Sequence, residues 1–536
     1  MPPSSDPEGY DRRAGFVVVA AFGLLCVLFT GQFPPFGNPN ELSRLDTIYA
    51  VVEEGTFRID TALRVLGDHE DKARSGGHFY SNKAPGLALA AIPVYRLLRV
   101  FYPRPLTPFA PIFYWVRLLT VSSICVLALA RFRARLERDA LPASSLVAAA
   151  VAFGTPYVFY ARSFFSHAWT AALLLLAWDL LRVREEWRFR RRVGVLSVAA
   201  GFLAGWAAIS EYPVAVLAGL LAVRSAARGS WRQTALFAAG LAVPILVLLG
   251  YDAACFGSPF VLSSAREAAP EYASLSRTGI FGVGLPGATE AAGYLFHPAR
   301  SILLFSPFFL WAPAGLWSWH RSNENRVDFW LSFTATLGFF LLMCGYPNWH
   351  GAWSLGNRYL IPVLFLSALA IPRALVRPFS RLLFCAAAVF AVSAHLVLAS
   401  SFPYFPLGVG WSPLTAAVWL IEHRYAAPAV VSGTPAILGA LVCVGIGLWL
   451  AGLPLGRRRE SLAFALGVAP LVAILLFSPP VSYGQRLWRA AVLGKFSPWD
   501  PHRDELRAVV RSARSPREKT MAAETWRSYG LPARAP

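Results

Sequence analysis

Apolar positions in this chain fall into repeated runs of about 20 residues, separated by short polar or basic connections. A helix of that length spans the hydrocarbon core of a bilayer. The pattern therefore predicts an all-α polytopic membrane protein with about 13 transmembrane helices. The predicted spans are 14–31, 110–130, 143–161, 166–182, 194–210, 212–225, 233–252, 301–318, 328–345, 359–375, 382–400, 433–453 and 461–478.

One further apolar stretch, 84–101, is interrupted by Pro85, Pro93, Arg96 and Arg99. Broken backbone at membrane depth is tolerated where protein or a water-filled cavity surrounds it. We therefore expect this stretch to re-enter the membrane or to lie at its interface, and not to cross it.

Basic residues cluster on alternate connections from the second span onward, which places these connections in the cytoplasm. They are Arg131–Arg138, Arg182–Arg192, Arg224–Arg232, Arg321–Arg326, Arg373–Arg381 and Arg457–Arg459. The N-terminus is expected on the same side. The outer connections are then 32–109, 253–300, 346–358 and 401–432, and long connections of this kind often carry function. The chain divides into a membrane body, 1–478, and a basic polar tail, 479–536, which falls outside against the charge rule.

The composition agrees with a membrane protein. Hydrophobic residues make up 56% of the chain and charged residues 15%, against about 25% in a soluble domain. These values exclude a soluble enzyme, a disordered chain and a disulfide-stabilised secreted domain. The net charge of +20 lies mostly in short connections between spans, so nucleic acid is not an expected partner. The six cysteines show no metal-ligand spacing and are predicted to be small buried apolar residues.

The first outer connection is predicted to begin with a helix. Asn38 suits its N-cap and Pro39 its first position, and apolar residues then recur at helical spacing. We expect an amphipathic helix at the outer membrane interface. Glu41 would lie just after the first span, close to a lipid phosphate. It is equally suited to a capping box with the N-cap amide, and Arg44, one turn later, to an ion pair with Glu41.

The same connection ends in the turn Tyr80-Ser81-Asn82-Lys83-Ala84-Pro85-Gly86. A lysine at the start of a broken apolar segment can hold a lipid phosphate as a point charge. The alternative is a lysine that reaches from a span end to the interface.

An acidic residue after the first span, an outer helix and a Lys-Xaa-Pro turn together resemble the GT-C superfamily of integral membrane glycosyltransferases. Within it the chain is similar to protein O-mannosyltransferases, aminoarabinose transferases of lipid A and their bacterial relatives. The likeness covers roughly residues 14–370. It extends through Phe165-Ser166-His167, Glu211-Tyr212-Pro213, Phe296 to Pro307 with Arg300, and Trp349 to Tyr359.

This resemblance implies transfer of a monosaccharide from a polyprenyl phosphate to an acceptor hydroxyl, with inversion at the anomeric carbon. The acceptor is a glycan, a lipid or a protein. The expected catalytic base is Glu41, and Lys83, Arg300 and Arg358 would stabilise the leaving phosphate. The complete set of expected substrate-binding residues is Arg44, Tyr80, Lys83, His167, Glu211, Arg300, Trp349, His350, Arg358 and Tyr359.

Simpler roles stay open for several of these residues. Arg358 precedes a span, where interface anchors are common. His167 suits a hydrogen-bonded packing position, and Glu211 a solvated position at the outer boundary, although acids at membrane depth are often functional.

The chain departs from the family pattern in the first loop. Many members carry a diacid where this chain has Asn40-Glu41, so no cofactor and no metal ligands are predicted, although a divalent metal stays open. Many relatives also have Gly-Pro-Arg-Tyr where this chain has Gly356-Asn357-Arg358-Tyr359, which keeps the arginine.

Three other functions compete with the glycosyltransferase. A transporter or flippase of lipid-linked sugars would also use broken helices, but no internal repeat is visible. A glycan polymerase or ligase would share the basic outer residues, and a non-catalytic scaffold remains open. The high ratio of Arg to Lys fits a bacterium. The predicted topology then implies an inner membrane protein with its active site facing the periplasm.

Overall fold

The computed structural model describes residues 7–30, 38–102, 111–186, 190–270, 273–274, 279, 282–352, 354–400, 404, 413–422, 457–476, 483, 486–487, 490 and 507–528. This part of the chain is mostly helical. Its first helices are α1 (Pro7–Phe29), α2 (Pro39–Glu54), α3 (Asp60–Leu66), α4 (Gly86–Leu98), α5 (Pro111–Val116), α6 (Ser123–Arg138), α7 (Ser144–Phe153), α8 (Tyr157–Tyr160), α9 (Ser166–Glu186), α10 (Arg190–Ser210), α11 (Ala215–Arg228) and α12 (Trp231–Phe256). Later helices span Ala288–Phe296, Ile302–Phe305, Trp311–Ser322, Arg326–Cys344, Leu364–Ala368, Pro378–Ser400, Pro413–Glu422, Arg457–Leu476 and Pro516–Ser528.

Five of the described helices are long and apolar enough to cross a membrane: Pro111–Arg138, Val193–Ser210, Trp231–Phe256, Arg326–Cys344 and Pro378–Ala399. This finding supports a polytopic membrane protein and does not confirm the predicted count of spans.

Several predicted spans are divided into shorter pieces. The span 143–161 forms α7 and the single turn α8 on either side of Gly154. The span 301–318 is divided among Ile302–Phe305, a 3-10 turn at Pro307–Leu310 and Trp311–Ser322. The span 433–453 lies outside the described residues. Proline and glycine divide helices because one lacks the N–H donor and the other has the freest backbone.

The first outer connection contains a β-hairpin, so the all-α prediction is wrong in this detail. Strand β1 (Lys72–Ser75) pairs antiparallel with β2 (His78–Ser81), with Lys72 opposite Ser81. Gly76 and Gly77 form the turn with φ of +56° and +84°, the left-handed region that two-residue hairpin turns require.

Helix α2 begins as predicted, with Asn38 as its N-cap and Pro39 at its first position. The expected exposed polar face is absent, because every residue from Asn40 to Ala50 is buried. A surface position would leave one face in water. The polar face of α2 instead contacts other parts of the protein, and this burial brings its charged residues into the interior.

The hairpin continues through the Lys83 turn into α4, which has 13 residues and packs on the end of α10. The carbonyl of Gly86 accepts a hydrogen bond from Trp206 Nε1 at 2.8 Å. A Cβ on Gly86 would lie 2.4 Å from Ser210 Oγ, so only glycine permits this approach. The contact holds the Lys83 turn next to the segment that begins at Glu211.

The other end of α9 carries a separate set of ion pairs between the predicted basic connections. Asp179 accepts hydrogen bonds from Arg131 and Arg135, and Asp328 from Arg182 and Arg224. These pairs connect the far ends of several helices and lie apart from the outer connection. The five cysteines within the described part of the chain, Cys26, Cys125, Cys255, Cys344 and Cys385, are buried, as predicted.

Candidate functional site

Glu41 lies in the first turn of α2 and is 4% exposed. Arg117 Nη2 donates to Glu41 Oε2 at 2.8 Å, and Arg117 Nε donates to Oε1 at 3.3 Å. The backbone N–H of Phe164 also donates to Oε1. Both carboxylate oxygens are therefore engaged by buried donors from two later segments of the chain.

Glu41 was also suited to a capping box with the N-cap amide and to an ion pair with Arg44, and the structure shows neither. The side chain of the N-cap Asn38 accepts a hydrogen bond from Asn40 N at 2.9 Å. Among the described residues, the Glu41 carboxylate accepts from Arg117 and Phe164 and not from the N-cap amide, so no capping box forms. Arg44 does not pair with Glu41 by direct contact. The carboxylate instead neutralises Arg117, which is 0% exposed and begins a π-helical segment, Arg117–Ser122. Such segments are frequent at functional sites.

Arg44 is the central cation of the site. Its Nη1 donates to the backbone carbonyl of Asn40 at 2.8 Å and also to the Asn40 side chain. Its Nη2 donates to Ser166 Oγ at 2.8 Å and lies 3.9 Å from Glu211 Oε2. Arg44 therefore joins the start of α2 to the start of α9 and to the end of α10.

Glu211 occupies the break between α10 and a 3-10 turn at Tyr212–Val214. Its backbone is extended, with φ of −155° and ψ of 107°, and the side chain turns toward α9. Ser166 Oγ donates to Glu211 Oε2, and His167 Nδ1 lies 3.5 Å from the same oxygen. The Glu211 side chain is 22% exposed. The acid that adjoins Arg44 therefore stays partly open to solvent.

Lys83 forms an ion pair with Asp71, with Nζ 3.0 Å from Oδ2. Their side chains are 19% and 16% exposed. Burial raises the pKa of Asp71, but the charges of Lys83, His69 and Arg358 outweigh it and lower that pKa below its ordinary value. Lys83 is therefore held by a carboxylate within the first outer connection and still reaches the surface.

Arg358 is the first residue of the 3-10 helix Arg358–Val363 and lies among aromatic rings. Its guanidinium carbon is 5.5 Å from the centre of the Phe165 ring and 5.1 Å from that of Tyr359. Nη2 donates to Tyr359 OH at 3.3 Å, while Nε is buried without a hydrogen-bond partner among the described residues. A stacked guanidinium with an unused donor is suited to an anionic group.

Mutual electrostatic effects show that these groups share one region. Burial lowers the pKa of Arg44, the negative charges of Glu211 and Asp71 raise it, and the positive charge of Arg358 lowers it. Asp71 in turn responds to both Lys83 and Arg358. Three cations and two partly exposed acids therefore meet where the first outer connection contacts the ends of α9 and α10. We call Arg44, Asp71, Lys83, Glu211 and Arg358 the charged cleft.

His167 and Tyr359 form the aromatic side of the charged cleft. Their ring centres are 5.5 Å apart, and Tyr359 also contacts Tyr346 at 5.3 Å. The pKa of Tyr346 is raised well above its ordinary value by Tyr359 and by burial, with a smaller effect of Glu211. Glu211 therefore lies close enough to this aromatic group to act on it.

Arg300 has a different environment. Its Nε donates to the carbonyl of His350 at 2.8 Å, Nη2 to that of Ala352 at 2.7 Å, and Nη1 to that of Ala299 at 3.0 Å. Arg300 is 1% exposed. Its donors fix the loop that leads to Arg358, so the geometry favours loop positioning over the predicted binding of phosphate.

Trp349 and His350 belong to the same loop. Trp349 packs against Tyr294 with ring centres 5.5 Å apart. His350 Nδ1 accepts from Ala352 N at 3.1 Å, and burial lowers the pKa of His350 to about 4. These contacts hold the loop in its conformation and leave no direct evidence that either residue binds substrate.

Tyr80 lies outside the charged cleft. It packs in a separate apolar cluster with Ala73, Tyr251, Cys255 and Phe256, with its ring 5.6 Å from that of Phe256. The predicted substrate contact of Tyr80 is not supported by this position, because β-strand side chains alternate and this one points to the hairpin's apolar face.

Glu267, in the second outer connection, approaches the Lys83 turn from the other side. Asn82 Nδ2 donates to its Oε2 at 2.8 Å, and Glu267 forms a β-bridge with Ala73. Burial raises the pKa of Glu267 to about 7, against the opposing charge of Lys83. Among the described residues, no group of three or more His, Cys, Asp or Glu side chains could hold a metal ion.

Sequence reasoning missed Arg117, Asp71, Ser166 as a ligand of Glu211, and Glu267. Arg117 is a single charge inside an apolar run, which was a usable signal because intramembrane charges are costly and need partners. Asp71 and Glu267 lie in polar connections. In such a connection, the sequence does not distinguish an acid that belongs to a site from one that is exposed to solvent.

No family model matches the sequence, and no curated protein matches it. Among solved structures, the chain is similar to the aminoarabinose transferase ArnT from Cupriavidus metallidurans in the apo state, with 14% identity and a TM-score of 0.47. The similarity covers 98% of this chain and 89% of that chain. The same enzyme bound to undecaprenyl phosphate gives 15% identity and a TM-score of 0.47, with the same coverage.

The chain is also similar to the oligosaccharyltransferase of Archaeoglobus fulgidus in its apo form, with 13% identity and a TM-score of 0.44. That similarity covers 92% of this chain and 59% of the archaeal protein. ArnT and the archaeal enzyme both belong to the GT-C superfamily.

Proposed function

We propose that this protein is a membrane glycosyltransferase that moves a monosaccharide from a polyprenyl-phosphate donor to an acceptor hydroxyl. The observation that carries the proposal is the charged cleft, in which three cations and the partly exposed Glu211 meet beside an apolar membrane body. A donor of this class has an anionic phosphate, a polar sugar and an apolar tail. The cleft offers partners to the first two, and the membrane receives the third.

The leaving group of the reaction is a phosphate monoester, which needs fixed positive charge more than it needs a proton. Lys83 supplies a point charge. It is paired with Asp71 in the free protein and pairs with the phosphate when the donor binds. Arg358 supplies a planar guanidinium held by Phe165 and Tyr359, with Nε directed at no described acceptor. We assign these two residues to the phosphate and Arg44 to the positioning of Glu211.

The aromatic side of the cleft suits a sugar. His167, Tyr346 and Tyr359 present ring faces and edges of the kind that pack against apolar faces of ligands. The site lies among the outer connections in the predicted topology, which places transfer on the periplasmic face of a bacterial inner membrane. The acceptor is a glycan, lipid or protein hydroxyl.

The test uses the purified full-length protein in detergent with a panel of radiolabelled polyprenyl-phosphate monosaccharides and a membrane extract as acceptor. The measured quantity is release of polyprenyl phosphate. We expect release with one donor class, and its loss in Lys83→Ala and Arg358→Ala. Lys72→Ala serves as the matched control, because Lys72 lies in the same hairpin and pairs with Asp68.

Absence of release with every donor would contradict the proposal. Movement of a lipid-linked sugar across a vesicle bilayer without release would favour the transporter in its place.

A further inference from the structure

We infer that Glu211 is the general base of the transfer, and that Glu41 acts through Arg117 as a positioning residue. This inference rests on the proposed function. It reassigns the catalytic carboxylate from the acid that the first outer connection offers to one at a helix break more than 160 residues later.

Glu41 is poorly placed to take a proton from an acceptor. A base must reach the proton within hydrogen-bond distance. Arg117 donates to both oxygens of Glu41, Phe164 N–H donates to one of them, and the residue is 4% exposed. A substrate hydroxyl would have to displace a fully buried arginine from its counter-charge, which leaves that charge unpaired at high cost.

Glu211 has the opposite arrangement. Its Oε2 is fixed by Ser166 Oγ and lies near Arg44 and His167. Its Oε1 accepts no hydrogen bond from any described residue and is not enclosed. One oxygen is therefore held in place while the other is open to the cleft, which is the geometry that a positioned base needs.

Two other acids, Asp71 in the cleft and Glu267 beside it, are less suitable. Asp71 Oδ2 lies 3.0 Å from Lys83 Nζ, so its charge is committed to the cation that is to meet phosphate. Glu267 is tied to the hairpin by Asn82 and by its bridge to Ala73. Neither acid contacts Ser166 or His167, whereas Glu211 is held by the one and adjoins the other on the aromatic side of the cleft.

In the step that follows, the acceptor oxygen forms a bond to the anomeric carbon as the bond from that carbon to the phosphate oxygen breaks. The electron pair of the broken bond leaves on polyprenyl phosphate. The hydroxyl proton passes to Glu211 Oε1. Arg44 holds Glu211 in position beside Ser166, while Lys83 and Arg358 stabilise the charge of the leaving phosphate.

The experiment compares the wild type with Glu211→Gln, Glu267→Gln and Glu54→Gln, using the donor that the wild type turns over. Glutamine keeps the shape of the side chain and its bond from Ser166 but cannot accept a proton. We expect turnover by Glu211→Gln to fall by about 100-fold or more. The affinity for undecaprenyl phosphate, used as the probe, should stay within about threefold, because Glu211 does not hold the phosphate.

Glu54 is exposed at the end of α2, so Glu54→Gln should retain wild-type turnover. A Glu211→Gln variant that keeps its turnover would overturn the assignment while leaving the glycosyltransferase in place. A loss confined to Glu267→Gln would also overturn it. Absence of turnover in the wild type would overturn the proposed function itself, so the two failures are distinguishable. Unchanged probe binding shows that a Glu211→Gln variant without turnover is folded.

Discussion

Arg117 Nη2 and Glu41 Oε2 are 2.8 Å apart, in a pair that closes the space between α2 and the π-helical segment after α5. Arg117 also donates to the carbonyl of Phe113 at 2.9 Å. The pair thus fixes the first turn of α2 to a helix that belongs to the membrane body. Removal of one partner leaves the other as a buried, uncompensated charge.

We therefore expect Glu41→Gln to destabilise the protein by about 3–5 kcal/mol. The double variant Glu41→Gln with Arg117→Met should recover much of that loss, because it removes both charges. The unfolding midpoint can be followed in detergent by the fluorescence of the 18 tryptophans. Glu54→Gln is the control, and an additive loss in the double variant would contradict the pairing.

The ion pair of Lys83 and Asp71 predicts opposite effects of its two members on phosphate binding. Lys83→Ala should weaken the affinity for undecaprenyl phosphate by about 10- to 100-fold, the value of one charge-assisted hydrogen bond. Asp71→Asn should strengthen it severalfold, because the phosphate no longer competes with a carboxylate. Binding is measured by titration of the purified protein with the lipid, and Lys72→Ala should bind as the wild type does. Equal losses in both variants would indicate that the pair only holds the hairpin together.

The backbone of Gly351 approaches the Arg358 side chain closely, and this approach can be tested. Its φ is +66°, and an added Cβ would lie 3.0 Å from Arg358 Nε. Gly351→Ala should weaken phosphate binding by about fivefold, since left-handed backbone costs an alanine about 1 kcal/mol and the guanidinium must shift. Gly219→Ala is a suitable control, because no atom lies within 4 Å of its added Cβ. Unaltered affinity in Gly351→Ala would show that Arg358 does not depend on the loop.

Glu267 predicts a dependence of stability on pH. Burial raises the pKa of Glu267 from 4.5 to about 7, so the folded protein binds a proton more tightly than the unfolded chain between these values. Stability contributed by this group is therefore present below pH 4.5 and is lost as the pH rises toward 7. Glu267→Gln should flatten this part of the profile.

The measurement is the unfolding midpoint of wild type and Glu267→Gln from pH 5 to pH 8. The difference between the two proteins isolates Glu267 from other titrating groups. A constant difference across this range would mean that the side chain stays ionised.

The start of α2 could be predicted from Asn38 and Pro39, because capping depends on neighbours in the sequence. The burial of the helix could not, because the partners of Glu41 and Arg44 lie at Arg117 and Ser166. Charged residues on one helical face indicate solvent only when no other polar surface covers them. In this protein, polar groups of later segments cover the charged residues of α2.

The hairpin had a local signal in Gly76-Gly77, a dipeptide typical of two-residue turns. Its strands have only four residues each, and so little alternation that periodicity does not reveal them. Lys83 and Arg358 could be chosen from the sequence by residue type and position relative to spans. Arg300 satisfied the same criteria, and only its three carbonyl acceptors distinguish it from them.

The choice between Glu41 and Glu211 as base depended on information that the sequence does not hold. Both are acids near predicted span ends. The two acids differ in which of their carboxylate oxygens accept hydrogen bonds. The donors are Arg117, 76 residues after Glu41, and Ser166, 45 residues before Glu211.

The burial of α2 also bears on how the protein is made. Its side chains contact Arg117, Phe164, Ser166 and Glu211, all synthesised after it. Until those segments have been synthesised, the charged side chains of α2 lack the partners that they have in the folded protein. The charged cleft is therefore completed only when the chain has been synthesised through Arg358, and no shorter nascent chain carries all five of its residues.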